Sequence, residues 1–149
     1  MSKIVISYRR SSYDAIVGRI RDKLVSHYGD DAVYMDVDNI PYGIDFRQHI
    51  NKALSEGDVV IAIIGPKWVG PMRGRKARIF DDADPVRVEI ETALNRGIAV
   101  VPILVDGAKM PKQTDLPESI GQLAFHNAAT VDAGRSSSLP TARTRTRRE

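Results

Sequence analysis

Val59-Val60-Ile61-Ala62-Ile63-Ile64 is an unbroken apolar run, bounded by Asp58 before it and Gly65-Pro66 after it. A strand with no polar face must be covered on both sides, so this stretch predicts a central strand of a parallel sheet. Reading toward the N-terminus, Gly57 closes a helix that Asp45 caps and whose inner face carries Phe46, Ile50, Ala53 and Leu54. Before it lies a loop from Asp36 to Ile44, built around Pro41-Tyr42-Gly43, and a strand Ala32-Val33-Tyr34-Met35. Earlier still, Ser11 or Ser12 caps a helix with Ile16, Ile20 and Leu24 facing inward, ended by Gly29. Ile4-Val5-Ile6 with Tyr8 forms the first strand.

Reading toward the C-terminus, a long segment from Gly65 to Asp84 leads to a helix that ends at Gly97. Ile98 to Val105 is a fourth apolar strand, in which Pro102 predicts a local irregularity because it lacks a ladder donor. A weak fifth strand is expected within Ala124–Val131. Regular βα alternation implies an α/β fold: a flavodoxin-like, open parallel five-stranded sheet of order 2-1-3-4-5 with helices on both faces. Its topological switch falls between the first and third strands, and ligands bind at the carboxyl ends of the strands there. That crevice should be lined by Tyr8, Arg9 and Arg10 and by Gly65-Pro66-Lys67-Trp68.

The helix after the central strand opens Asp84-Pro85-Val86-Arg87-Val88-Glu89-Ile90-Glu91-Thr92-Ala93-Leu94. Asp84 suits the N-cap and Pro85 the first helical position. Val86, Ile90, Ala93 and Leu94 make the apolar stripe, and Glu89 lies at its border. The neighbours of Glu89 one turn away are Pro85, Val86, Thr92 and Ala93, so no cation on its own helix reaches it. Glu91 has Arg87 four residues before it. Glu89 therefore either bonds to a neighbouring segment or does chemistry.

A chain of 149 residues fits one domain with a substantial core. It has no cysteine, which excludes disulfides, a thiolate nucleophile and cysteine-ligated metal, and fits a cytoplasmic setting. The apolar run at Ile4 is too short for a signal peptide, and no stretch approaches the ~20 residues of a membrane span. The net charge of +3 belongs to the end of the chain. Residues 134–149 hold five of the 22 basic residues and one of the 19 acidic ones, which leaves 17 against 18 in residues 1–133. The stretch from Arg135 is nearly devoid of apolar residues and reads as a disordered basic tail. It offers at most non-specific contact with anionic surfaces or nucleic acid, and a solvated tail is the simpler reading.

Arg9 and Arg10 at a switch point suit an anionic ligand such as a pyrophosphate, or are a solvated pair. Trp68 and Tyr8 offer flat faces to an aromatic ring, or Trp68 is a lid over the core. No Gly-x-Gly-x-x-Gly and no Walker loop is present, which argues against a dehydrogenase or NTPase. His27, His49 and His126 lack metal-ligand spacing, so no metal is expected. A phosphoacceptor receiver needs acidic residues where this chain has Tyr8-Arg9-Arg10 and Gly65-Pro66.

Three stretches together resemble a TIR domain: Ile4 to Arg10, Tyr34 to Phe46 and Val86 to Leu94. The likeness spans roughly residues 3–132, giving a TIR domain over 1–133 and the tail over 134–149, and it is to the bacterial, NAD-cleaving version. The resemblance implies that Glu89 is catalytic, at the glutamate of a Trp-x-x-x-Glu motif whose tryptophan position here holds Pro85. It implies that Arg9 and Arg10 contact NAD⁺, and the crevice reading sets Tyr8 and Trp68 beside them as aromatic faces for the substrate. Asp36, Pro41, Tyr42 and Gly43 match the loop through which TIR domains assemble. The implied activity is NAD⁺ nucleosidase or cyclase action, with NAD⁺ as substrate and no cofactor. Homotypic TIR–TIR assembly, filaments included, and a role in antiphage immunity or cell suicide go with it. The alternative is a non-catalytic TIR interaction module, and a nucleic-acid-binding role for the tail is remote.

Overall fold

The computed structural model describes residues 3–9, 14–35, 43, 45–55, 57–70 and 77–131. Five parallel strands form one sheet: β1 (Ile4–Tyr8), β2 (Val33–Tyr34), β3 (Val59–Ile64), β4 (Ala99–Val105) and β5 (Ala129–Val131). Their order is β2-β1-β3-β4-β5, the order the alternation predicts. Helices α1 (Asp14–Tyr28), α2 (Phe46–Ser55) and α3 (Pro85–Asn95) pack on its faces.

β3 lies at the centre, pairing with β1 from Ile4↔Val59 to Tyr8↔Ile63 and with β4 from Val59↔Ala99 to Ile64↔Leu104. Its side chains alternate between two cores, as the pleat requires. Ile61 and Ile63 join Ile4, Ile6, Ile16 and Ile20 on the α1 face. Val60, Ala62 and Ile64 join Val5, Ile50, Leu54 and Ile90 on the α2 and α3 face. Each fully buried aliphatic side chain of this kind contributes roughly 1.5–3 kcal/mol, so the double burial of β3 dominates the fold.

The helix ends follow the expected chemistry. α1 stops at Gly29, whose φ of 94° an L side chain would resist. Asp45 caps α2: its carboxylate accepts from the Arg47 N–H at 2.9 Å. α3 closes in a Schellman motif, with Gly97 at φ 72° donating to Leu94 O and Ile98 donating to Ala93 O.

Two expectations need correction. The second strand is only Val33–Tyr34, because Ala32 belongs to a 3₁₀ turn (Asp30–Ala32) and Met35 follows the strand. Pro102 causes no irregularity either, since β4 runs straight through it, opposite Ala62. The reason is the direction of its nitrogen. Val100, two residues earlier and so facing the same flank, accepts a hydrogen bond from His126 Nδ1 at 2.9 Å on the β5 side. The β5 ladder begins only at Ile103↔Ala129, so Pro102 has no strand partner to disappoint. Ser11, Ser12 and the tail at 134–149 lie outside the described residues.

Replacing Gly97 by alanine forces an L side chain into φ 72° and should lower the unfolding free energy by about 1–2 kcal/mol, read by urea denaturation.

Candidate active site

Ser7, Ala62 and Pro102 lie in register across β1, β3 and β4. Ser7 shares the parity of Val5, so its side chain points to the α2 and α3 face. This row is small, which lets a long polar side chain from α3 reach the sheet. Glu89 does so, accepting a hydrogen bond from Ser7 Oγ at 2.5 Å. Both residues are buried, at 1% and 2% exposure.

Glu89 is thus more deeply buried than its place at the edge of the stripe suggests. α3 contacts α2, β1, β4 and the 3₁₀ segments Arg78–Phe80 and Glu118–Phe125, so more of its circumference is covered than one apolar stripe requires. Val88, on the opposite side of the helix from the stripe, is buried as well. Glu91 behaves as expected, accepting from Arg87 Nε at 2.7 Å.

The start of α3 departs from the sequence reading. Asp84 does occupy the N-cap, and Val88 N–H donates to its carbonyl at 3.0 Å, but its side chain caps nothing. Its carboxylate is held instead by Arg9, bidentate, at 3.0 Å from Nη1 to Oδ1 and 2.8 Å from Nη2 to Oδ2. Arg9 Nε donates to the Trp68 carbonyl at 2.7 Å. The Arg9 and Asp84 side chains are 10% and 0% exposed. A fork–fork pair of this geometry fixes both planes at once. It joins the end of β1, the loop after β3 and the start of α3.

Of the candidate side chains of the crevice, Arg9, Trp68 and Tyr8 are engaged with the protein in this structure. Arg9 is neither a solvated arginine nor a guanidinium aimed at a ligand; its three nitrogens are turned to Asp84 and Trp68. Trp68 is 2% exposed and packs in the core with Ile79 and Val86, so its ring is a lid over the core and presents no open face. Its indole Nε1 is buried without a hydrogen-bond partner among the described residues. Tyr8 follows the parity of Ile4 and Ile6 and packs on the α1 face, away from Glu89. At the carboxyl end of β3, Pro66 and Lys67 are exposed. Arg10, Asp36, Pro41 and Tyr42 lie outside the described residues, while Gly43 adopts φ 81°. Among the described residues no group of three or more His, Asp or Glu is placed to hold a metal ion.

The sequence reading gave Ser7 no role. The available signal was a single hydroxyl inside the apolar strand Ile4–Tyr8, in register with an alanine. The Arg9–Asp84 pair carried no local signal, since 75 residues separate its partners.

A family model described as TIR domain matches residues 4–138. The chain belongs to the TIR domain family. Among solved structures, this TIR domain is similar to the TIR domains of the activated Roq1 resistosome, a complex described as directly recognising the pathogen effector XopQ. The TM-score is 0.53 at 14% identity, over 84% of this chain and 69% of that one, a likeness of fold. No curated protein gives a significant match. No described helix of the TIR domain is long and apolar enough to cross a membrane.

Removing one partner of a buried ion pair strands the other charge. Asp84→Ala should therefore cost about 3–5 kcal/mol of stability in denaturant titrations, far above a surface pair, and Arg9→Ala somewhat less, because Arg78 Nε still lies 3.7 Å from Asp84 Oδ1. The double variant should cost much less than the sum of the two, a coupling that a mutant cycle measures directly.

Proposed function

We propose that this TIR domain is an NAD⁺ nucleosidase or cyclase of the bacterial type. It releases nicotinamide and leaves ADP-ribose or a cyclic isomer, acts in antiphage defence or cell suicide, and is switched on by TIR self-assembly. The observation that carries the reading is Glu89: a carboxylate buried beneath the topological switch, on the helix that follows the central strand, and held there by a hydroxyl from β1.

The chemistry suits a single carboxylate. The bond between ribose C1′ and the pyridinium nitrogen breaks, and its electron pair stays with nitrogen, so nicotinamide departs neutral without a general acid. Glycosidases need a second carboxyl group for that protonation. Positive charge gathers on the ribose, and one fixed carboxylate stabilises it electrostatically. Water adds to C1′ and loses a proton to give ADP-ribose; attack by a nucleophile of the same molecule closes a ring instead.

Because Glu89 is 2% exposed, it meets ribose only when the segments around α3 open, which is the step assigned to assembly. The diphosphate falls to Arg10 and the exposed Lys67, since Arg9 is held by Asp84. The same burial, with Arg9 engaged and Pro85 at the motif's tryptophan position, favours a second reading: a TIR module that only binds other TIR domains.

Nicotinamide release by concentrated, assembled protein separates the two. Glu89→Gln keeps the shape of the side chain and removes the charge, and should lower kcat by roughly 10²- to 10³-fold. Equal rates for wild type and variant, or an inert wild type in every assembled state, would leave the interaction module standing. Proline cannot adopt the φ of 81° seen at Gly43, so Gly43→Pro should abolish both self-association in sedimentation velocity and the activity that depends on it.

A further inference from the structure

We infer that Ser7 is a positioning residue for Glu89, a role that rests on the NAD⁺-cleaving reading of this site. β1 reads Ile4-Val5-Ile6-Ser7-Tyr8, and Ser7 is its one aliphatic hydroxyl. At 1% exposure that hydroxyl has no access to bulk water. Its proton goes to Glu89 Oε1 at 2.5 Å, within the range of a charge-assisted O–H···O⁻ bond.

The geometry makes Ser7 a good fixture. Its backbone is locked into the ladder with the central strand β3, with Ser7 opposite Ala62. Glutamate has three side-chain torsions, and a carboxylate that must stabilise developing charge works only if those torsions are set beforehand. Ala62, fully buried beside Ser7, leaves the space into which the carboxylate fits. Ser7 therefore holds Glu89 against the most rigid part of the molecule, at the carboxyl end of the strand that borders the switch. The hydroxyl also supplies this hydrogen bond without adding a positive charge that would cancel the carboxylate's effect on the ribose.

A purely structural hydroxyl and a positioning one predict different kinetics. With assembled protein and NAD⁺, Ser7→Ala should lower kcat by on the order of 10- to 100-fold with KM unchanged, because a misplaced group loses the transition state more than the substrate. Ser7→Thr keeps the hydroxyl and should restore most of kcat. The acidic limb of the rate–pH profile of Ser7→Ala should move to higher pH, since the lost bond favoured the ionised form. The ¹³C carboxyl resonance of Glu89, assigned through Glu89→Gln, should show the same upward movement of its titration midpoint in Ser7→Ala. An active wild type with Ser7→Ala at the same kcat, a loss confined to KM, or an unmoved Glu89 midpoint would overturn the role of Ser7 while leaving NAD⁺ cleavage intact. A wild type that releases no nicotinamide in any assembled state would overturn the cleavage reading and the positioning role with it. Failure of Ser7→Ala to fold, seen by circular dichroism, passes the decision to Ser7→Thr: wild-type kcat and midpoint support the role, and a kcat as low as that of Glu89→Gln overturns it.

Discussion

A carboxylate taken out of water must be given a donor, and α3 buries two of them. Asp84 and Glu89 sit five residues apart, and both find their donors on the same short piece of chain, Ser7 and Arg9 at the end of β1. Residues two apart on an extended chain face the same way, so one edge of β1 meets one flank of α3 through two polar contacts set in an apolar layer. The position of α3 over the sheet, and with it the path of the loop after β3, follows from satisfying these two groups. Apolar packing alone would let α3 slide or rotate at little cost; hydrogen bonds of fixed direction do not.

The two contacts differ in kind. Asp84 is met by a guanidinium, and the charges of that pair cancel across a bidentate geometry. Glu89 is met at Oε1 by a neutral hydroxyl. A bidentate ion pair fixes two planes at once, whereas the hydroxyl fixes a single oxygen of Glu89. Within one turn and a half of helix, the TIR domain buries two acids that are anchored in different ways, one by a guanidinium and one by a hydroxyl.

Much of the fold was legible because it is written in local patterns. The apolar run at Val59–Ile64 set the central strand, glycines and Asp45 set the helix ends, and alternation set the strand order. Glu89 was legible as a candidate because its own helix offers it no cation. What escaped was long-range or required a count of parity. Nothing near Arg9 announces Asp84, and nothing near Glu89 announces Ser7, 82 residues away. Asp84 was read as a cap because a cap is the local use of an N-terminal aspartate, and a buried arginine from another strand outcompeted it. Tyr8 was assigned to the crevice from its position at a strand end, although period two already placed it with Ile4 and Ile6 on the far face. Trp68 has the flat face of a ligand platform, and burial turns that same face into packing.

Pro102 sits inside β4 with its missing donor turned toward β5. Below it the rung at Val100 is already taken by His126, so no free pair of groups waits there for a longer strand. The ladder between β4 and β5 is therefore stopped from growing toward its amino end, and a β5 slid along β4 would meet a rung with no hydrogen to offer. A three-residue outer strand is normally the part of a sheet most free to drift in register. Here a single ring in its neighbour acts as a doorstop, and it also withholds from any passing strand part of the unpaired edge on which sheet-to-sheet aggregation begins.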